Sequence, residues 1–185
     1  MRLIFKLITC IIGFLLITTC SNDENEINYI KINGKTFPLR YGFIEDNGTD
    51  INIKYRIFDI EFTDNEINPS TYIQFRILSY KTTNLETGTY TYNYYANQKG
   101  ELTFLSIGTN IKYDNKNVRI AGNVYNDNYW DFYGNIIVGF NKYKNYTFDI
   151  YFKGYNLDTN DSIVVEGYFE KNLTQNVEVL LDSEK

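Results

Sequence analysis

The chain has 185 residues, a formal net charge of −5, 17% aromatic residues and no histidine. Without imidazole there is no Ser-His-Asp or Cys-His nucleophile and the commonest zinc ligand is missing, and an acidic balance repels phosphate backbones, so no nucleic-acid partner is expected. Both cysteines, Cys10 and Cys20, lie near the N-terminus, which leaves the remainder to be held by packing and sheet hydrogen bonds with no disulfide.

Arg2 and Lys6 form a positive n-region, and Leu7 to Thr19 form an apolar run of about a dozen residues, the pattern of a secretory leader. The run is too short to span a bilayer, which needs about 20 residues. It ends in Ile17-Thr18-Thr19-Cys20, followed by Ser21-Asn22-Asp23-Glu24-Asn25-Glu26. The cysteine set after small residues resembles the lipobox of bacterial lipoproteins, and the acidic Ser/Asn stretch after it resembles the export signal of surface lipoproteins of Bacteroidota. The resemblance implies cleavage before Cys20, a diacylglycerol on its thiol with palmitate-type acyl chains, and a lipid-anchored place on the cell-surface face of the outer membrane. Cleavage by signal peptidase I, with Cys20 left as a free thiol, is the competing reading. Residues 1–19 are then the signal peptide, 20–27 the lipidated cysteine and an acidic tether, and 28–185 a single domain. Losing Arg2 and Lys6 with the leader makes that domain more acidic still.

From Asn28 onward nearly every segment reads as strand or turn, with no sustained apolar stripe at helical spacing. Tyr29 to Ile32, Asn33-Gly34 and Lys35 to Phe37 read as a hairpin, because Asn-Gly tolerates the positive φ angles of a type I′ turn. Asn47-Gly48 predicts a second hairpin between Leu39 to Glu45 and Ile51 to Phe62. Further strands are predicted over Tyr72 to Tyr80, Gly88 to Tyr95, Glu101 to Gly108, Val118 to Tyr125, Asn135 to Phe140, Tyr146 to Gly154, Ile163 to Glu170 and Val177 to Leu181. Between Tyr146 and Lys153 alternation is clean, with Phe148, Ile150 and Phe152 on the core face. The fold class is therefore all-β: an antiparallel meander of about ten strands forming a β-barrel or β-sandwich, similar in architecture to the calycin-like or lipocalin-like domains of small surface lipoproteins.

The segment from Ile51 changes phase: Ile51, Ile53, Tyr55 and Ile57 share one face, whereas Phe58, Ile60 and Phe62 share the other. Without a bulge, Asp59 and Glu61 point inward as a candidate acid/base pair. A bulge near Ile57-Phe58 turns both to solvent, and the cost of burying unpaired charge favours it. The second candidate is the knot Tyr125-Asn126-Asp127-Asn128-Tyr129-Trp130-Asp131-Phe132-Tyr133. Flat rings among short amides and carboxylates suit a sugar, whose apolar faces cover rings while its hydroxyls take the polar groups. Tyr125, Tyr129, Trp130 and Tyr133 are the candidate ligand-binding residues, against the plainer reading that they pack a strand pair. A stripe at Tyr90, Tyr92 and Tyr94 reads as cross-strand packing.

No metal site is expected, since EF-hand loops starting at Asp46 or Asp158 place Ile57 and Phe169 where the bidentate Glu belongs. Asp161-Ser162-Ile163 resembles the O-glycosylation motif of exported Bacteroidota proteins, which makes Ser162 a candidate attachment site. The expected function is a non-catalytic binding domain for a glycan or small apolar ligand, without cofactor, bound to the membrane through its N-terminal lipid. The alternative is a structural, adhesin-like accessory subunit contacting another envelope protein.

Overall fold

The computed structural model describes residues 28–49, 55–80 and 84–175. The signal peptide, Cys20, the tether, Ile51, Ile53 and the strand expected over Val177 to Leu181 lie outside the described residues. Within them every regular element is a strand, so the chain is all-β. The strands join one curled, mixed sheet that forms a half-barrel.

β1 (Tyr29–Ile32) and β2 (Lys35–Pro38) pair antiparallel across Asn33 (φ 48°) and Gly34 (φ 82°), the two left-handed residues that a type I′ turn requires. β3 (Tyr41–Thr49) pairs with β4 (Arg56–Thr63), and here the register slips so that Asn47 and Gly48 stand opposite Ile57 alone. The second Asn-Gly is therefore a bulge inside β3, not the hairpin turn predicted for it. A glycine at φ 77° serves a bulge as well as a turn, so the dipeptide alone does not distinguish them. The bulge also sits on the partner strand and not at Ile57-Phe58. A bulge in β3 does not change the phase of β4, which pairs with its other neighbour in unbroken register: Phe58, Ile60 and Phe62 are buried, and Asp59 and Glu61 lie on the opposite face.

β5 (Tyr72–Ser79) and β7 (Glu101–Tyr113) continue the sheet, followed by the short β6 (Gly88–Tyr92). β6 runs parallel to β7 at Thr91 and Tyr92, and antiparallel to β9 (Trp130–Phe140), so the chain is not a strict meander. The departure has a local cause. Residues 93–100 fold back around the Glu101 carboxylate, which accepts hydrogen bonds from Asn93 Nδ2 (2.8 Å) and the backbone N–H groups of Asn97 (2.8 Å) and Gln98 (2.9 Å), bringing the chain back beside β6. β8 (Arg119–Asn126) pairs with the C-terminal half of the same side of β7, and the sheet forks there.

β10 (Tyr146–Asn156) and β11 (Ser162–Lys171) complete the far side, with Phe148, Ile150 and Phe152 buried and Asp149, Tyr151 and Lys153 exposed, the alternation expected of a strand with one wet face. β12 (Thr174–Gln175) then pairs parallel with β3, a second departure from the meander. This pairing draws β11 towards β3. Phe62 of β4 stacks on Phe169 of β11 with ring centroids 4.0 Å apart, and Phe148 meets Phe62 edge-on at 4.9 Å, so the interior at this end is filled by side chains. Gly42 permits the approach, since a Cβ there would stand 2.7 Å from the Phe169 ring.

Candidate functional site

Two aromatic segments distant in sequence meet where the sheet forks. They line an open cleft of about 340 Å³. One wall is Tyr92 at the end of β6 with Tyr94 and Tyr95 from the loop after it; the other is Asp127, Asn128, Trp130 and Asp131 from the β8–β9 turn and the start of β9, with Leu157 beside them.

Each wall is positioned by identifiable bonds. On the first, burial pushes the Glu101 carboxyl up, but the hydrogen bonds from Asn93, Asn97 and Gln98 outweigh it and hold the group below its ordinary value, so the anion is a fixed post for the loop. The Tyr95 N–H donates to Asn93 Oδ1 at 3.0 Å, and the Tyr94 and Tyr95 rings stand edge to face at 4.9 Å and 87°. On the second wall, the Asp127 N–H donates to Leu105 O (3.3 Å) and the Tyr129 N–H to Asn126 O (3.2 Å), closing the turn. The Leu157 N–H donates to Tyr129 O at 3.3 Å, tying the β10–β11 loop to the same turn. Thr103 Oγ1 donates to Tyr94 O (3.2 Å), so β7 holds one wall through Thr103 and the other through Leu105.

Between these two anchors lies Phe104. It adopts φ 54°, a conformation that costs a bulky side chain about 1 kcal/mol or more, and it is 46% exposed. The strain comes from a bulge: Phe104 and Leu105 together oppose Phe75, between the paired positions Gln74/Ser106 and Arg76/Thr103. The extra residue sets the spacing between the anchors.

The floor is amphipathic. Tyr92 is half-buried and packs edge-on against Phe132 (5.9 Å) and Phe152 (6.4 Å), joining the cleft to the core. Its phenol is pushed above the ordinary value, first by burial and then by the nearby Asp127 and Asp131 charges, which favours the neutral form able to donate a hydrogen bond. Burial also raises the Asp127 carboxyl, against the pull of backbone N–H groups.

Of the residues singled out from sequence, Trp130 lines the cleft but is only 8% exposed; Tyr125 packs edge-on against it at 5.2 Å and supports it from the side. Tyr129 (60% exposed) and Tyr133 (63%) point to solvent and are not among the lining residues. The Tyr133 hydroxyl donates to Asp131 Oδ2 at 2.5 Å, so it acts on the cleft through that carboxylate. The stripe read as cross-strand packing is graded: Tyr90 is fully buried, Tyr92 half-buried and Tyr94 51% exposed, and its outer members form a cleft wall. Tyr95 and Leu157 were not singled out from sequence. The available signal was a pair of adjacent tyrosines in a polar loop, too exposed to be core.

Asp59 and Glu61 lie beside Glu45 at a small pocket on the outer face of the sheet. Asp59 is held by Arg76 in two bonds of 2.7 Å and by Asn47 Nδ2 at 3.0 Å, an ion pair on the outer face, and the Glu61 carboxyl is raised by burial alone. Ser162 is exposed at the start of β11, paired with Tyr155. The chain enters the fold at the opposite end: the Glu170 N–H donates to Asn28 Oδ1 at 2.7 Å, whereas Trp130 pairs with Asn156 at the other end of β10. β10 has 11 residues, and at about 3.3 Å per residue it separates the two ends by roughly 35 Å.

Compared with known proteins, the chain matches no family model, no curated protein and no solved structure.

Proposed function

We propose that this is a non-catalytic binding domain, anchored by lipid at Cys20 to the outer membrane surface, that holds a glycan or small apolar ligand in the cleft between Tyr92 and Trp130. The observation that carries the reading is the meeting of Tyr92, Tyr94, Tyr95 and Trp130 with Asp127, Asn128 and Asp131 in one open cleft. Rings cover the apolar faces of a saccharide, and carboxylates and amides accept from and donate to its hydroxyls. A lipid ahead of residue 28 would hold the domain by the end opposite the cleft, leaving the cleft directed away from the membrane. Trp130 is the chain's one tryptophan, so its fluorescence reports on the site directly. In a screen of oligosaccharides and small apolar ligands, at least one is expected to shift or quench that emission saturably; silence across the screen overturns the reading. Metabolic labelling with a tagged palmitate, lost in Cys20→Ala, tests the anchor.

The accessory-subunit reading draws support from a different surface. On the outer face of β9 and β10, Ile137 is 46% exposed and Tyr151 42%, an apolar pair on a wet sheet face. If that reading is right, Tyr151→Lys abolishes co-purification of an envelope partner while Trp130 fluorescence stays indifferent to glycans.

A further inference from the structure

The cleft carries two carboxylates, and its lining includes no Lys or Arg. Asp131 shares one oxygen with the Tyr133 hydroxyl, a neutral donor. Asp127 is partly withdrawn from water, and its carboxyl is raised by that burial. No cation answers either charge among the described residues. A partly desolvated anion without a counter-charge is costly, and the cost is recovered when a ligand brings the charge. The rings beside it suit the same ligand group, because an ammonium is attracted to the faces of Trp and Tyr. Among the described residues no three His, Cys, Asp or Glu side chains converge, and a cationic group on the ligand would supply the charge that the two carboxylates lack.

We propose that the cleft selects a cationic saccharide: an oligomer of 2-amino-2-deoxy sugar with free amino groups, in preference to neutral sugars and against acidic ones. The inference rests on the glycan reading of this same cleft. The ring walls hold the pyranose faces, Asp127 and Asp131 take the ammonium groups, and a uronate or sulfated sugar meets like charge at the same positions.

Titration of the intact protein through Trp130 fluorescence tests it with three probes of equal length: a glucosamine oligomer, an N-acetylglucosamine oligomer and a galacturonate oligomer. The expected order is amine, then neutral, then acidic, with the amine roughly tenfold tighter than the neutral oligomer, the scale of one charge-assisted hydrogen bond. Added salt narrows that gap by screening. Asp127→Asn lowers the amine's affinity more than the neutral oligomer's, so the ratio between the two falls towards one; should that variant fail to fold, Asp131→Asn at an exposed position makes the same comparison, and an unchanged ratio in both overturns the charge selection. Equal affinity for amine and neutral oligomers, or tightest binding of the acidic one, overturns the charge selection while leaving the glycan reading intact. Silence with all three overturns the glycan reading as well.

Discussion

Phe62, Phe75, Phe148 and Phe169 are each fully buried and meet ring to ring at the end of the half-barrel nearer residue 28, whereas at the other end Tyr92 is half-buried, Tyr94 is 51% exposed and Tyr95 80%. Two features separate these ends. At the first, β12 draws β11 against β3 and Gly42 lets the Phe169 ring approach the backbone, so the aromatic surface is matched by aromatic surface. At the second, β7 divides its edge between the short β6 and the projecting β8, and among the described residues no strand covers the rings left in the fork. The same residue type thus contributes stability where the sheet curls shut and remains available to a ligand where it splits.

The comparison breaks if the buried rings prove dispensable. Phe169→Ala is expected to destabilise by about 3–5 kcal/mol, the cost of a large core truncation, measured as a shift in urea midpoint at unchanged slope. A loss under about 1 kcal/mol would mean that the closed end is not the stabilising one. Gly134 tests the frame that carries Trp130. It adopts φ 149°, and a Cβ there would lie 2.0 Å from Tyr151 O of the neighbouring strand, an atom that cannot move without breaking the sheet. Gly134→Ala should therefore cost at least about 2 kcal/mol, and a variant of native stability would refute the close packing of β9 on β10.

How far these regions could be read in advance follows from how local their causes are. The Asn33-Gly34 hairpin and the Tyr146 to Lys153 alternation depend on turn chemistry and a period of two, both written within a few residues. The Asn47-Gly48 bulge does not, since the same dipeptide fits two backbone shapes and the partner strand decides between them. Trp130 and its neighbours stood out by composition alone, but the opposite wall did not. Tyr94 and Tyr95 reach the cleft because the Glu101 carboxylate folds residues 93–100 back, through bonds that are short in sequence but leave no periodic trace, and because β6 pairs with β9, a contact between segments far apart in the chain.

Tyr94→Ala sharpens the comparison from the open side. Stability should stay within about 0.5 kcal/mol, as for an exposed position, while affinity for whichever oligosaccharide the Trp130 screen identifies falls by roughly tenfold. A stability loss matching that of Phe169→Ala would erase the distinction between the ends. Phe104→Gly has a smaller effect of opposite sign. Glycine adopts φ 54° without strain but adds unfolded-state entropy, so a net gain below about 1 kcal/mol is expected by thermal melting. Because Thr103 and Leu105 hold the two walls through a side-chain hydroxyl and a backbone carbonyl, ligand affinity should not change.

Two carboxylates carry the comparison into pH. Asp46 accepts two bonds from Arg56 Nε, at 2.7 and 2.8 Å, and one from the Gly48 N–H; the Arg56 pairing outweighs burial and holds its carboxyl below the ordinary range. Its folded pKa being the lower one, the stability it contributes is present above the unfolded value of about 3.9 and is lost as pH falls through the folded value. Asp127 in the cleft is the reverse case. Burial raises its folded pKa, so the ionised form disfavours the native state, and the fold gains as pH falls through that raised value. Asp46→Asn should then destabilise the protein at neutral pH and Asp127→Asn stabilise it, with both differences from wild type shrinking in urea titrations taken below about pH 4. If Asp127→Asn instead destabilises at neutral pH, the cleft carboxylate already has a partner in the free protein, and the cleft has no unanswered charge to offer a cationic sugar.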